Sequence, residues 1–240
     1  MKNITIKKID ANIFLIREVF FQEHANIFLF KNKDAGLLFD CGLGFENLKN
    51  ILNELGIKHL TVCATHTHFD HSGGLKHFSP DEIILTPKQY GNIKNKKLWG
   101  LEYLNPNDFA TALISHEKAV KFCAQFDQKI VRPNIIRGRL LQFGKYSFKI
   151  VPAPGHTDDS ILFWEMNKRI LISGDALYSG KPYLDMINSD PKQCLHTLRN
   201  IDKMNFKLLL PGHNSILNKT TASAVINKWE RKINDWLTVE

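Results

Sequence analysis

No apolar run in this 240-residue chain approaches the roughly 20 residues needed to cross a bilayer, so a membrane span is not expected. The amino-terminal stretch Met1-Lys2-Asn3-Ile4-Thr5-Ile6-Lys7-Lys8 lacks the apolar centre of a signal peptide. Export is not expected either, and the cytoplasm is the default compartment. Cysteine is sparse: Cys41, Cys63, Cys123 and Cys194 lie far apart and form no C-x-x-C pair, which argues against a disulfide framework or a separate zinc knuckle. No base is paired in sequence with Cys41, so it reads as a buried structural thiol and not as a nucleophile. Internal repeats and low-complexity tracts are missing as well. What remains, 43% hydrophobic and 23% charged residues, is ordinary for a soluble globular protein long enough to bury a sizeable core. One domain spanning 1–240 is the expectation.

A formal net charge of +8 admits acidic partners such as nucleic acid, a coenzyme or an anionic membrane. The basic residues are scattered, however, with only a modest cluster from Lys88 to Lys97. A solvated basic surface is the preferred reading. Nucleic acid is accordingly not favoured as a partner, and a small-molecule substrate is expected. No feature of the sequence selects an oligomeric state.

The chain does contain a dense group of metal-binding side chains. His66, His68, Asp70 and His71 fall within Thr65-His66-Thr67-His68-Phe69-Asp70-His71-Ser72-Gly73-Gly74. Uncoordinated, these groups would crowd one another and need several hydrogen-bond partners, whereas neutral imidazoles with a carboxylate suit zinc or another borderline divalent metal. On a regular helix or strand they would spread over several faces. A loop after a strand can instead turn His66 and His68 one way and Asp70 and His71 another, which suggests two metals. The preceding Leu60-Thr61-Val62-Cys63-Ala64-Thr65 reads as a buried strand, and Ser72-Gly73-Gly74 can open a helix and let backbone approach closely. The block would then sit at a strand end, where α/β folds commonly place their sites.

The same strand-to-loop setting recurs. Asp40 ends Gly36-Leu37-Leu38-Phe39, His156 follows the strand Tyr146–Val151, Asp175 follows Arg169–Ser173, and His213 follows Phe206–Leu210. Singly, each is an ordinary turn residue; the recurrence carries the weight. His24, His59, His77, His116 and His196 lack ligand spacing and are read as surface or structural, His24 lying nearest to a loop that can reach a site mouth.

Five ordered segments, Asp40, the His66-Thr67-His68-Phe69-Asp70-His71 block, His156, Asp175 and His213, resemble the metallo-β-lactamase superfamily over most of the chain. The resemblance implies an α/β fold, a four-layer αβ/βα sandwich. It also implies that His66, His68 and His156 hold one metal, that Asp70, His71 and His213 hold a second, and that Asp175 bridges them. Asp40 would support the ligands from behind, fixing imidazole tautomer and orientation. The implied cofactor is two divalent ions, zinc first, with iron or manganese also accepted by this ligand set. Two ions about 3.5 to 4 Å apart can share a water, lower its pKa and polarise the substrate oxygen, so a metal-bridging hydroxide acting on a small ester-like substrate is the implied chemistry. Asp70 is then a candidate proton acceptor. Tyr178, three residues after Asp175, is a candidate oxyanion donor, as in lactonase-like members, with a packed loop tyrosine as the alternative.

Departures from particular branches narrow the substrate. Asp175 stands where one lactamase subclass carries cysteine, and His68 where flavodiiron oxidoreductases carry glutamate. The segment Gly174-Asp175-Ala176-Leu177-Tyr178-Ser179-Gly180-Lys181-Pro182-Tyr183 begins like a glyoxalase II but lacks the following Gly-Cys-Gly-Arg. Pro154-Gly155-His156-Thr157-Asp158-Asp159-Ser160 resembles branches that cleave thioesters and lactones. A hydrolase acting on an acyl thioester or lactone is thus preferred to one acting on a β-lactam. A mononuclear iron persulfide dioxygenase and a nuclease or phosphodiesterase are the alternatives.

A coarse reading of elements agrees. Ile4–Ile6, Ile13–Arg17, Ala25–Lys31 and Gly36–Asp40 read as short antiparallel strands, with a turn over Lys31-Asn32-Lys33-Asp34. Phe45, Leu48, Ile51, Leu52 and Leu55 trace a helical face. Lys149–Pro152, Ile161–Glu165 and Arg169–Ser173 form a second strand series, with Asn167-Lys168 as a hairpin turn. Asp190 and Pro191 start a helix, and Ala222, Val225, Ile226, Trp229, Ile233, Trp236 and Leu237 mark an amphipathic one. Residues 100–139 break the alternation. There Ala119, Val120, Phe122, Cys123 and Phe126 form an apolar stripe from near Ser115, in an insertion placed to wall the site, and Phe20, Phe21, Phe109, Phe122 and Phe126 offer room for an apolar acyl group.

Overall fold

A computed structural model describes residues 3–128, 130 and 132–239. The readings at Met1 and Lys2, and those at Lys129 and Val131 within the 100–139 segment, lie outside the described residues. The chain divides into two compact units, Met1–Arg137 and Gly138–Glu240. No helix among the described residues is long and apolar enough to cross a membrane.

The first unit is built on a seven-stranded sheet. Its elements are β1 (Ile4–Asp10), β2 (Ile13–Glu18), β3 (Asn26–Asn32), β4 (Ala35–Phe39), α1 (Leu48–Glu54), β5 (His59–Cys63), α2 (Phe69–Ser72), β6 (Ile83–Leu85), α3 (Pro87–Ile93), α4 (His116–Ala124) and β7 (Asn134–Ile135). Strands β1 to β4 pair antiparallel in chain order, and β4 to β7 continue in parallel. Strands β3 and β4 are buried along almost their whole length, as their unbroken apolar sequence requires. Asn32 pairs with Ala35 around a two-residue loop in which Lys33 takes a left-handed φ of 57°. Asn47 caps α1 by accepting from Lys49 N, and Leu48, Ile51 and Leu52 face the core. Phe45 precedes this helix and joins an aromatic cluster with Phe20, Phe21, Phe69, Trp99, Phe109, Phe122 and Phe126. In α4 the expected stripe is only partly realised: Ala119 is buried, Phe126 lies beyond the helix end, and Val120 is 43% exposed.

The second unit carries β8 (Leu140–Phe143), β9 (Tyr146–Pro152), β10 (Ile161–Glu165), β11 (Ile170–Gly174), α5 (Pro191–Lys203), β12 (Leu208–Pro211), β13 (Leu217–Asn218) and α6 (Lys219–Val239). They form a six-stranded sheet in the order β13-β12-β11-β10-β9-β8, with only β11 and β12 parallel. Asp190 caps α5 by accepting from Gln193 N at 3.0 Å, with Pro191 in the first turn. The apolar faces of α5 and α6 supply Leu198, Ile201, Ile226, Trp229 and Ile233 to a core shared with Leu171 and Leu209. Trp236, expected on that face, is 41% exposed. The Asn167-Lys168 hairpin is wider than expected. Glu165 pairs with Ile170, so the loop spans 166–169, with Arg169 at a φ of 57° and Glu165 accepting from Lys168 N.

One buried carboxyl in the first unit sets a pH dependence. Glu18 accepts from Leu43 N at 2.5 Å through Oε2, while its Oε1 has no partner among the described residues. Burial pushes its pKa up from 4.5 to about 8, with bonds from the Leu43, Glu46 and Gly44 backbone opposing and the nearby Glu46 charge reinforcing the shift. The folded state therefore keeps a proton that the unfolded chain releases above pH 4.5, so this group's contribution to stability is present below 4.5 and declines as pH rises towards 8. Glu18→Gln is expected to flatten that decline, measured by urea unfolding at several pH values across the window. An unchanged decline would place the cause elsewhere.

Candidate metal centre

In the first unit the parallel strands β4 and β5 end side by side, Phe39 opposite Cys63, and this register delivers Asp40 beside the start of the histidine block. Asp40 is buried and takes a left-handed φ of 62°, an uncommon conformation for a residue other than glycine. Its carboxylate collects Thr65 N at 2.6 Å on Oδ1, and Thr65 Oγ1 at 2.9 Å with His71 Nδ1 at 2.9 Å on Oδ2. A carboxylate only accepts, so His71 carries its hydrogen on Nδ1 and presents the Nε2 lone pair, 3.4 Å from Asp70 Oδ2. The single hydrogen of the Thr65 hydroxyl goes to Asp40. His66 Nδ1, 3.1 Å from that oxygen, therefore donates to it and also presents Nε2. The ring centroids of His66 lie 4.7 Å from His68 and 4.2 Å from His71.

Close backbone approach supports this block. A Cβ on Gly74 would stand 2.1 Å from the Cys41 carbonyl oxygen, which explains the glycine pair after Ser72. Gln89, in α3, is a supporting residue that spacing did not single out. Its Nε2 donates to the Ala64 carbonyl at 2.9 Å, at the root of the block, while its Oε1 accepts from Thr86 N. The signal was present as Thr86-Pro87-Lys88-Gln89, the capping-box pattern that starts α3.

In the second unit β9 and β11 both run antiparallel to β10, and β12 runs parallel to β11, so the carboxyl ends of β9, β11 and β12 share one edge of the sheet. His156, Asp175 and His213 follow those three ends. Gly155 allows the turn, since at its φ of 142° a Cβ would lie 2.4 Å from Cys194 Cα. His156 Nδ1 donates to the Tyr183 carbonyl at 2.9 Å, leaving Nε2 to face Asp175 Oδ2 at 3.5 Å. His213 Nε2 faces the same oxygen at 3.2 Å. The Tyr178 hydroxyl donates to the Lys181 carbonyl at 2.5 Å, and its ring packs against His213 and Trp229 at centroid distances of 5.5 and 5.1 Å, contacts that suit the packed-loop alternative.

The donor chemistry fits a divalent metal. A neutral imidazole lone pair aimed at a carboxylate oxygen is repelled by it unless a cation or proton lies between them, and both units hold such pairs in buried settings. The other histidines behave differently. His24 Nδ1 donates to Phe21 O at 3.1 Å and His77 Nε2 to Gly44 O at 3.0 Å, while His59, His116 and His196 are exposed.

A mixed α/β chain with two such sheets and buried His/Asp groups suited to divalent metals defines a metal-dependent hydrolase class. The family model of the metallo-beta-lactamase superfamily matches residues 21–213, and the chain belongs to that superfamily. An acyl-coenzyme A thioesterase MBLAC2 of Gallus gallus is 27% identical over 225 residues, covering 86% of this chain and 79% of that protein. The hydroxyacylglutathione hydrolase GloC of Haemophilus influenzae is 26% identical over 171 residues, covering 70% and 73%. Among solved structures, the metallo-beta-lactamase from Pontibacter korlensis aligns with a TM-score of 0.68 at 14% identity, covering 95% of this chain and 99% of that one, and VMB-1 with 0.67 at 18%, covering 95% and 98%. The fold is therefore that of the metallo-β-lactamases.

Asp40→Ala strips the acceptor from three buried donors, Thr65 N, Thr65 Oγ1 and His71 Nδ1, and the loss of stability is expected to be about 3 kcal/mol. Urea unfolding of metal-free protein measures it. A variant as stable as the parent would show that Asp40 does not organise the block.

Proposed function

We propose that the two halves complete one catalytic domain over 1–240, in which His66, His68 and His156 hold one divalent ion, Asp70, His71 and His213 a second, and Asp175 joins them. The observation that carries this reading is the carboxylate of Asp175 facing two imidazole Nε2 atoms, at 3.5 and 3.2 Å. One oxygen addressed by two ligands suits a group shared between metals. Seven donors exceed what a single ion takes, which favours two ions over a mononuclear iron centre. Zinc is the preferred metal, since the donors are imidazole and carboxylate only.

The substrate is proposed to be an acyl thioester, with a lactone as the next choice and a β-lactam behind both. Similarity to acyl-coenzyme A thioesterases over 86% of the chain supports this order. When bound, divalent ions supply an activated water at neutral pH and polarise the acyl carbonyl. The protein's own part is to hold the ligands in one protonation state. Asp40 fixes His71, Thr65 fixes His66 and the Tyr183 carbonyl fixes His156, so none of these rings must turn or lose a proton when metal and substrate arrive. Asp70 is the carboxylate we assign to take up the proton that the attacking water gives up and to pass it to the departing thiolate, which leaves as the free thiol. Tyr178 contributes its ring, which backs His213.

Metal analysis of the isolated protein, with a panel of acyl-coenzyme A thioesters, lactones, β-lactams and phosphodiesters assayed without oxygen, tests the proposal. Two metal ions per chain and release of free thiol from the thioester are expected. Asp175→Ala is expected to lose metal and reduce turnover by about 100-fold or more. Full metal content and activity in that variant would overturn the assignment. Tyr178→Phe is expected to fall well short of the roughly 100-fold loss that follows removal of an oxyanion donor.

A further inference from the structure

The histidine block is gripped from a second direction, by the stretch of chain that follows α3. The Trp99 carbonyl accepts from Phe69 N at 2.9 Å, inside the block. The next residue, Gly100, has a left-handed φ of 70°, and a Cβ there would stand 3.2 Å from His68 Cδ2 and 3.5 Å from its Nε2. Its backbone therefore lies against the imidazole of His68 as a stop. Beyond α4, Gln128 is fully buried and reaches both ends of the block. Its Nε2 donates to the Thr67 carbonyl at 3.0 Å, and its Oε1 accepts from Ser72 Oγ at 2.8 Å. The single hydrogen of Ser72 lies between that oxygen and the His68 carbonyl, 2.9 Å away.

These bonds leave the side chain of Gln128 one orientation, because a carbonyl can only accept. The amide bridges Thr67 and Ser72, and His68, Asp70 and His71 lie between them in the chain. Two residues earlier, Phe126 meets Phe69 edge-on at 6.3 Å and Trp99 at 6.1 Å, so the brace is anchored in the same aromatic cluster that holds the Phe69 of the block. Packing alone does not call for an amide at this position. A buried amide costs free energy unless its groups are bonded, and an apolar side chain of the same size fills such a space without that requirement.

We infer that Gln128, with Gly100 as a stop behind His68, is a positioning residue that fixes the His68–His71 ligands before metal binds and thereby sets metal affinity. The inference rests on the metal reading proposed above. It also assigns to the 100–139 segment a grip on the ligand block, distinct from the role of a wall.

The test measures the dissociation constant for Zn²⁺ by chelator competition, and the melting temperature of metal-free protein, in the full chain and in Gln128→Met, Ser72→Ala and Leu113→Ala. Leu113 packs into the same aromatic cluster and serves as the control for general destabilisation. Gln128→Met is expected to weaken zinc binding by about 10- to 100-fold. Ser72→Ala is expected to weaken it in the same direction, the double variant to lose less than the sum, and Leu113→Ala to lower melting without a comparable change in zinc affinity. Should Gln128→Met fail to fold, Ser72→Ala together with Gly100→Ala carries the test. Zinc bound by the parent with the same affinity in these variants would overturn the brace alone. A parent chain that binds no zinc would overturn the metal reading, and the brace with it.

Discussion

The buried carboxylate of Asp40 is the constraint on which the first half of the site depends. A charge without water around it must be met by hydrogen bonds, and here Thr65 N, Thr65 Oγ1 and His71 Nδ1 meet it. Delivering the carboxylate to those donors requires the left-handed backbone at Asp40, a strain of order 1 kcal/mol that the three charge-assisted bonds offset. Two consequences follow. The Thr65 hydroxyl is committed, which turns His66 Nδ1 into a donor, and His71 Nδ1 is committed directly. One buried carboxylate thus decides which nitrogen two imidazoles present.

The second unit solves the same problem with neutral groups. His156 is held by the Tyr183 carbonyl, and the Ser189 hydroxyl ties the His156 backbone to the same loop at 2.7 Å. The acceptor that orients His156 is a neutral carbonyl, where the one that orients His71 is a carboxylate. The strand topology makes the rest inevitable. Because β9, β11 and β12 point one way, the residues after their ends share an edge, and three separate loops converge without any of them being long.

What the sequence made legible follows from how local each signal is. The histidine block is visible because its donors lie within six residues of one another, and the cap at Asp190-Pro191 because cap and helix are contiguous. Strands β1 to β5 and β9 to β12 were legible as runs bounded by turn residues, whereas the short β6, β7, β8 and β13 were not read as strands. Gln128 escaped notice because its partners, the Ser72 hydroxyl and the Thr67 carbonyl, lie 56 and 61 residues away, and such distant pairings carry no local sequence signature. Val120 and Trp236 sit at apolar positions of helical stripes but fall at the margins of the faces their helices bury, where periodicity alone does not separate covered from exposed. Phe45 matched the helical period of α1 yet found a better partner in the aromatic cluster, its ring 5.1 Å from that of Phe20. Tyr178 was legible as a residue near the site, but the direction of its hydroxyl depends on the Lys181 carbonyl in a loop without regular structure.

The cysteines complete the argument for an oxygen- and nitrogen-donor centre. Cys41 adjoins Asp40 and Cys63 ends β5, so two soft ligands stand close to the histidine block in the chain. A thiolate at either place would compete for a borderline metal and shift the preference towards a thiolate-rich, electron-donating site. Both are withheld. Burial raises the pKa of each thiol, and the charge of Asp40 raises both further, so they remain protonated. Cys41 spends its hydrogen on the His71 carbonyl at 3.4 Å. Asp40 thus both orients His71 and adds to the burial that raises the neighbouring thiols, and the buried groups suited to a divalent metal in this block are imidazoles and carboxylates.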